Sequence, residues 1–332
     1  MMKAMIMAAG VGSRLMPMTA DIPKPMIPIA NRPLMSNTVQ VLKEHGFSSI
    51  IANLHYHSDI ISDFFGDGRK FGVDIRYSYE EELMGTAGGV KRCEWFLDDT
   101  FVIVSGDALT DMDLTALLKA HRAKGALASI ALTEVQDVQN FGVVVTDENG
   151  LIRSFQEKPR PELALSRMVN TGIYVFEPEI FQQIPAGQFF DFGKQVFPHL
   201  VEIGAPFYGI HMANYWCDVG NIDTYRTAHA DILAGRVRVQ SSGKLINLEN
   251  GGRLLMGEGT QVGNDVSFRG SVTIGPGCRI GDDVNIRDSV IWNDTIIGNQ
   301  ASIHEAVIGA NCQINSGLKV DAGAVIASNS RI

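Results

Sequence analysis

Two cations beside a glycine loop are the first residues here with an evident chemical use. The apolar run Ala4-Met5-Ile6-Met7-Ala8-Ala9 opens into Gly10-Val11-Gly12-Ser13-Arg14-Leu15-Met16-Pro17, and Pro23-Lys24-Pro25 follows. Such a run reads as a buried strand feeding a loop. Its glycines let the backbone turn with positive φ and approach a ligand, while exposed N–H groups and the charges of Arg14 and Lys24 suit a polyphosphate. The stretch therefore reads as a triphosphate cradle, with a plain tight turn as the alternative. Two familiar phosphate loops do not fit. A Walker A loop needs Gly-Lys-Ser/Thr after a longer glycine spacing, and a dinucleotide fingerprint needs a small residue where Leu15 stands.

A second chemical feature lies at Phe101-Val102-Ile103-Val104-Ser105-Gly106-Asp107, an apolar strand ending in a carboxylate. A carboxylate there suits a hard cation such as Mg²⁺ held against phosphate oxygens. The alternative is that Asp107 caps the helix starting near Leu114.

The elements that must position these groups come in two rhythms. Up to Gly235, strand-like and helix-like segments alternate, the pattern of an α/β domain with a mostly parallel, Rossmann-like sheet. The patterns predict strands at Lys3–Ala8, Ser49–Leu54, Asp74–Tyr79, Thr100–Ser105 and Ala128–Leu132. They predict helices at Met35–His45, Ser58–Phe65, Thr86–Phe96 and Leu114–Lys124. Ligands in open α/β sheets bind beyond the carboxyl ends of the strands, which is where both features fall. From Val262 the rhythm changes: Val262, Phe268, Ile274, Ile280 and Ile286 stand six apart. The phase slips by one before Ile291, Ile297 and Ile303, and again before Ile308, Ile314, Val320 and Ile326. Such hexads resemble the hexapeptide-repeat family and imply a left-handed parallel β-helix. The expected organisation is an α/β domain over 1–235, a connecting segment over 236–257 rich in Gly, Ser and Asn, and the β-helix over 258–332.

With 332 residues the chain exceeds what one core usually serves. Apolar content of 45% with 20% charged residues argues against long disorder. Twenty-eight Lys and Arg against 37 Asp and Glu give a formal charge of −9, so no basic surplus exists for wrapping nucleic acid. Cys93, Cys217, Cys278 and Cys312 form no C-x-x-C pair and read as reduced, mostly buried thiols. The N-terminus lacks the pattern of a signal peptide, and no stretch approaches the length of a membrane span, so the expected location is the cytoplasm.

The whole string Gly-x-Gly-Ser-Arg-Leu-x-Pro, then Thr19, Pro-Lys-Pro-Met-x-Pro-Ile and Arg32-Pro33, resembles the signature of the sugar-nucleotide pyrophosphorylases, or sugar-1-phosphate nucleotidyltransferases. Ser13 stands where that family usually has threonine. The resemblance implies a GT-A-like catalytic domain over 1–235 and makes Asp107 a Mg²⁺ ligand. Trp216-Cys217-Asp218-Val219-Gly220-Asn221 resembles the family's Trp-x-Asp-Val-Gly-Thr segment and makes Asp218 the second ligand, unless Asp218 or Asn221 merely caps the helix that begins near Ile222. On the sugar-phosphate side it implies Gly142 in Phe141-Gly142-Val143-Val144, Glu157 and Lys158 in Glu157-Lys158-Pro159, and Asn170 in Asn170-Thr171-Gly172. An exposed Glu157–Lys158 ion pair is the structural alternative.

The nucleotide is expected on the backbone of Ala8, Ala9, Gly10, Gly12 and Ser13 and on Glu81, Gly85 and Thr86. The segment Gly85-Thr86-Ala87-Gly88 looks most like the guanylyltransferase branch, with Met84 in place of the usual leucine. A carboxylate of Glu80 or Glu81 would match the N1–H and N2 amine of guanine; a solvated acidic turn is the alternative. The implied partners are a nucleoside triphosphate and a sugar 1-phosphate, with Mg²⁺ as cofactor, neither nucleic acid nor membrane, and a homo-oligomer assembled through the β-helix. GTP with mannose 1-phosphate is the first expectation. Thymidylyl, uridylyl or adenylyl transfer to glucose 1-phosphate, other sugar phosphates, and a non-catalytic sugar-nucleotide sensor remain alternatives. Acetyl transfer on the β-helix is disfavoured, because His304 is the only histidine among the repeats.

Overall fold

The computed structural model describes residues Met2 to Ile332. The chain divides into two compact units, the first running through Gly10 and then over Thr38–Trp216, the second comprising Val11–Asn37 and Cys217–Ile332.

In the first unit the opening apolar run forms β1 (Met2–Met7), followed by β2 (Phe47–Leu54), β3 (Asp74–Tyr79), β4 (Phe101–Ser105), β5 (Ala128–Glu134), β6 (Gly142–Thr146), β7 (Ile152–Glu157), β8 (Met168–Phe176) and β9 (Phe207–His211). They make one nine-stranded sheet in the order β7-β6-β8-β4-β1-β2-β3, with β5 also paired to β8 and β9 paired to β5. All run in one direction except β8 and β7. The sheet is therefore mostly parallel and Rossmann-like. Strands buried on both faces read as continuous apolar runs, and Met5, Ile51 and Ile103 in the central strands are fully buried. At the β8 end, Tyr174, Phe176, Phe192, Phe197 and Phe207 form an aromatic cluster with ring centroids 5.1 to 5.5 Å apart.

The helices are α1 (Leu34–Glu44), α2 (Ser58–Phe65), α3 (Gly85–Lys91), α4 (Leu114–Ala123), α5 (Phe197–Glu202) and α6 (Ile222–Leu233). Most expected bounds hold within a residue or two. The helix expected over Thr86–Phe96 is a correction: α3 ends at Lys91 and the chain continues in turns. Gly85, Gly88 and Gly89 give it poor helix propensity, and no side chain caps its start.

In the second unit, the hexads form three parallel sheets wound as a left-handed β-helix. Val262, Ile280, Ile297 and Ile314 stack in register in one sheet, and Phe268, Ile286, Ile303 and Val320 in the next. Ile274, Ile291, Ile308 and Ile326 stack in the third. The two phase slips have one cause. They fall at the same corner of successive coils, where Asp288 and Glu305, both left-handed at φ 46, make a turn one residue tighter than the turn holding Gly270. Within the segment 236–257, strands Lys244–Asn247 and Arg253–Met256 pair antiparallel, and the latter continues parallel onto Ser271–Ile274. Cys278 and Cys312 lie inside the coil core, and all four cysteines are free thiols. Burial raises the Cys93 and Cys278 thiols to about 11, so neither is a ready nucleophile. Among the described residues no helix is long and apolar enough to cross a membrane.

Candidate active site

The carboxyl ends of β1, β2, β3 and β4 lie at one edge of the sheet, because these strands are parallel and in register. Beyond β1, Ala8 and Ala9 are buried and Gly10 is exposed. The Ala8 N–H donates to Asn53 Oδ1 (3.0 Å), and Asn53 Nδ2 donates to Glu80 Oε1 (2.7 Å). Glu80 Oε2 accepts the Met84 N–H (3.0 Å), just before α3. Glu80 is 4% exposed with both oxygens engaged, so its carboxylate holds two backbone segments together. Glu81 is exposed. Gly85 and Thr86 open α3. Thr86 Oγ1 donates to Asp191 Oδ2 (3.1 Å) and accepts the Phe192 N–H (2.9 Å). Asn53, Glu80 as a buried clamp, and Asp191 were not selected from the sequence. The available signal was a polar residue near the end of an otherwise apolar strand, Ala52-Asn53-Leu54.

Beyond β4, the Gly106 N–H donates to Met7 O (2.9 Å) and the Ser105 hydroxyl donates to Asp107 Oδ1. Asp107 does not cap α4; Asp113 does, accepting the Ala116 N–H at 2.9 Å. On the other side of the sheet, Gly142 opens β6 opposite Glu157 at the end of β7. Burial pushes the Glu157 carboxyl up, against the opposing pull of the Lys158 ammonium 3.8 Å away. Lys158 is exposed, and its backbone is left-handed at φ 47 with its N–H donating to Phe141 O (3.1 Å). A non-glycine residue held there carries strain of about 1–3 kcal/mol, of the kind that clusters at ligand clamps. The register of β8 shifts just after Asn170. Asn170 Oδ1 accepts the Gly172 N–H (2.8 Å) and its Nδ2 donates to the Tyr174 hydroxyl (3.0 Å). An amide has two donors and two lone pairs, so one of each remains.

The second unit carries the cations. Gly12 is left-handed (φ 70), and a Cβ there would lie 2.7 Å from the Cβ of Lys24, so glycine is needed on both counts. Thr19 Oγ1 donates to Gly12 O (3.0 Å), closing the loop, and Ser13 and Arg14 sit exposed in the one-turn helix that follows. Lys24 is only 5% exposed, and its Nζ donates to Asp218 Oδ1 at 3.2 Å. Arg14 Nη2 lies 3.8 Å from Asp218 Oδ2. A side chain at Gly220 would strike the Asp218 carboxylate at 2.8 Å, so the glycine keeps this cluster open. Asn221, not Asp218, caps α6, in a reciprocal capping box with Thr224. Arg14, Lys24 and Asp218, far apart in sequence, are thus brought together.

A single carboxylate such as Asp107 in the first unit, or Asp218 in the second, is a donor that Mg²⁺ accepts, because the ion takes one or two carboxylates and draws its other ligands from phosphate oxygens and water. Among the described residues there is no group of three or more His, Cys, Asp or Glu forming a closed cage.

The chain is thus an α/β protein whose mostly parallel, Rossmann-like sheet carries a glycine loop and carboxylates at its strand ends and is followed by a β-helix. Residues 3–235 match the family model described as Nucleotidyl transferase, and the chain belongs to that family. Residues 236–332 match the model of the EIF2B subunit epsilon LbH domain. A UTP–glucose-1-phosphate uridylyltransferase of Synechocystis is 40% identical over a 351-residue alignment covering 96% of this chain and 90% of that protein. A mannose-1-phosphate guanylyltransferase of Mycobacterium tuberculosis is 34% identical over 234 residues, 70% of this chain and 65% of that protein. A solved structure from Bacillus anthracis, provisionally assigned as a glucose-1-phosphate thymidylyltransferase and in complex with a sucrose, matches with a TM-score of 0.65 at 26% identity, over 73% of this chain and 98% of that one.

Proposed function

We propose that this chain is a sugar-1-phosphate nucleotidyltransferase, making a nucleoside diphosphate sugar and pyrophosphate from a nucleoside triphosphate and a sugar 1-phosphate. The observation that carries this reading is the buried Lys24 with Arg14 on one carboxylate, on the loop whose sequence signature belongs to that chemistry. A phosphate oxygen of the sugar 1-phosphate attacks the α-phosphorus in line, and pyrophosphate leaves. The nucleophile is already an anion, so the protein supplies positioning and charge neutralisation rather than a general base. Arg14 neutralises the β- and γ-phosphates and the leaving pyrophosphate, and Lys24 neutralises the transferring phosphate. Lys158 holds the sugar phosphate, while Gly142, Glu157 and Asn170 receive the sugar. The backbone of Ala8, Ala9, Gly10, Gly12 and Ser13, with Gly85 and Thr86, cradles the nucleotide. Asp107 and Asp218 would hold Mg²⁺, which when bound offsets phosphate charge. The family of nucleotidyltransferases generally uses a divalent metal.

Two substrate pairs have specific support. The Gly85-Thr86-Ala87-Gly88 segment favours GTP with mannose 1-phosphate. The relative aligned along nearly the whole chain favours UTP with glucose 1-phosphate. Glu80 has its carboxylate oxygens committed to Asn53 and Met84, which leaves Glu81 as the acidic side chain for guanine. A matrix of five nucleoside triphosphates against glucose, mannose, glucosamine and heptose 1-phosphates, read by pyrophosphate release, decides. One dominant pair is expected. If neither of the two named pairs ranks among the best, both specificity readings fall; if no pair releases pyrophosphate, the reaction class falls.

A further inference from the structure

We infer that the first coils of the β-helix position the Lys24 segment, through buried hydrogen bonds that converge on the carbonyl of Pro28, so that the β-helix is part of the phosphate-binding apparatus and not only a surface for assembly. The inference rests on the reading of Lys24 given above. Every group involved belongs to the second unit.

Lys24 sits in a short helical turn, Lys24–Met26, whose Lys24 O accepts the Ile27 N–H (3.2 Å). The next residues form a hairpin in which Pro28–Ile29 pairs with Arg32–Pro33 around Ala30 and Asn31, both at positive φ as a two-residue primed turn requires. Pro28 O accepts two bonds, from the Tyr225 hydroxyl (2.6 Å) and from His229 Nε2 (3.1 Å), both on α6. A carbonyl cannot donate, so His229 carries its proton on Nε2. Each donor is in turn held by the β-helix: Trp292 Nε1 donates to the Tyr225 hydroxyl (2.8 Å), and the Thr273 hydroxyl donates to His229 Nδ1 (3.1 Å). At the tip of the hairpin, Asn31 Nδ2 donates to Ile274 O (2.9 Å) and to Ser242 O (3.1 Å), while the Ser242 N–H donates to Ala30 O (3.0 Å).

Tyr225, His229, Thr273 and Trp292 are each at most 4% exposed. A buried network whose members are all satisfied specifies one geometry, because any displacement strands a polar group away from water. The same α6 begins four residues after Asp218, the partner of Lys24. The Lys24 segment and the Asp218–α6 segment are therefore tied at two points, the ion pair and the Pro28 carbonyl, and the coil residues Thr273 and Trp292 fix the second. A shift of about 1 Å in a charged group at a reacting phosphate can cost about a hundredfold in rate, which gives such an anchor a kinetic consequence.

The test uses the full chain and the best substrate pair from the matrix. Tyr225→Phe keeps the ring and removes the hydroxyl, and Thr273→Val does the same one step back in the coil, serving if the first variant does not fold. The expected result is a fall in kcat of roughly 10- to 100-fold for Tyr225→Phe with KM for the sugar phosphate little changed. Amide hydrogen exchange at Ile27 and Ile29 should quicken. Ile314→Val, a core change in a more distant coil, should lower Tm without lowering kcat. In a double-variant cycle with Lys24→Arg, the Tyr225→Phe penalty should shrink, because both act through one group. The same fold-loss in both backgrounds, or a loss shared by Ile314→Val at matched Tm, overturns the anchor and leaves the reaction assignment standing. Wild-type turnover in Lys24→Arg alone overturns the lysine's role, and with it the anchor's target.

Discussion

A lysine that is almost fully buried needs a partner, and Lys24 has one in Asp218, which also draws in Arg14. That cluster sets what substitution should do. Lys24→Ala removes the cation proposed for the transferring phosphate, and Asp107→Ala removes a proposed metal ligand. Each should lower turnover by roughly a hundredfold or more while leaving the far-UV circular dichroism spectrum intact. Near-normal turnover in either variant would refute its assigned role. Asn53 is a subtler case. It bridges the Ala8 N–H to Glu80, so Asn53→Ala leaves two buried polar groups short of a partner, at about 1–3 kcal/mol. Because the Ala8 backbone is proposed to carry the nucleotide, KM for the triphosphate should rise more than KM for the sugar phosphate, and steady-state kinetics with each substrate varied in turn would show it.

At the scale of elements, α6 joins the cation cluster to the coils, and His229 makes that join sensitive to acid. Burial lowers its pKa from 6.5 to about 4, and its Nε2–H is already given to Pro28 O. Protonation would place a second proton on Nδ1 against the Thr273 hydroxyl. Charged groups nearby are Asp223 and Arg226 on the same helix and Asp288 and Glu305 on the coils, which line a cleft of about 320 Å³ with His229. The sign follows from proton counting. Between pH 6.5 and 4 the unfolded chain binds the proton and the folded chain does not, so stability rises with pH. The contribution is complete above about 6.5 and is lost as pH falls toward 4, up to roughly 3 kcal/mol at 1.36 kcal/mol per unit. Urea unfolding from pH 7.5 to 4.5 should show this slope, and His229→Gln should flatten it. An equal slope in both proteins would remove His229 as its source.

At the scale of the molecule, the boundary between repeats and α/β sequence does not coincide with the division into compact units. Val11–Asn37 belongs with Cys217–Ile332, although Thr38–Trp216 separates them along the chain. A fragment ending at Gly235 keeps Arg14, Lys24 and Asp218 but loses Ser242, Thr273, Ile274 and Trp292, the groups that satisfy the hairpin and α6. Such a fragment should unfold at lower temperature than the intact chain and turn over far more slowly. Differential scanning calorimetry and pyrophosphate release on the two proteins would measure both, and an equally stable, equally active fragment would contradict the expectation.

The sequence by itself determined the parts that rest on local rules. Apolar run length marked the central strands, hexad spacing marked the β-helix, and the Gly10 to Lys24 string marked the family. Each depends only on neighbours in the chain, through periodicity, turn chemistry or a fixed spacing of residue types. The early end of α3 was less legible, because glycines at Gly88 and Gly89 weaken a helix that the apolar pattern alone would prolong. Only the tertiary structure decided that Glu80 is a buried clamp while Glu81 is exposed, that Asn221 and Asp113 take the capping roles open to Asp218 and Asp107, and that Lys24 meets Asp218. The Tyr225, His229 and Trp292 bonds around Pro28 belong to the same group. The caps are choices among neighbouring candidates that local spacing leaves open, whereas the Asn53–Glu80, Lys24–Asp218 and Pro28 bonds join residues tens to hundreds of positions apart, which no local spacing encodes; they exist because folding buries polar groups together and each must then find a partner.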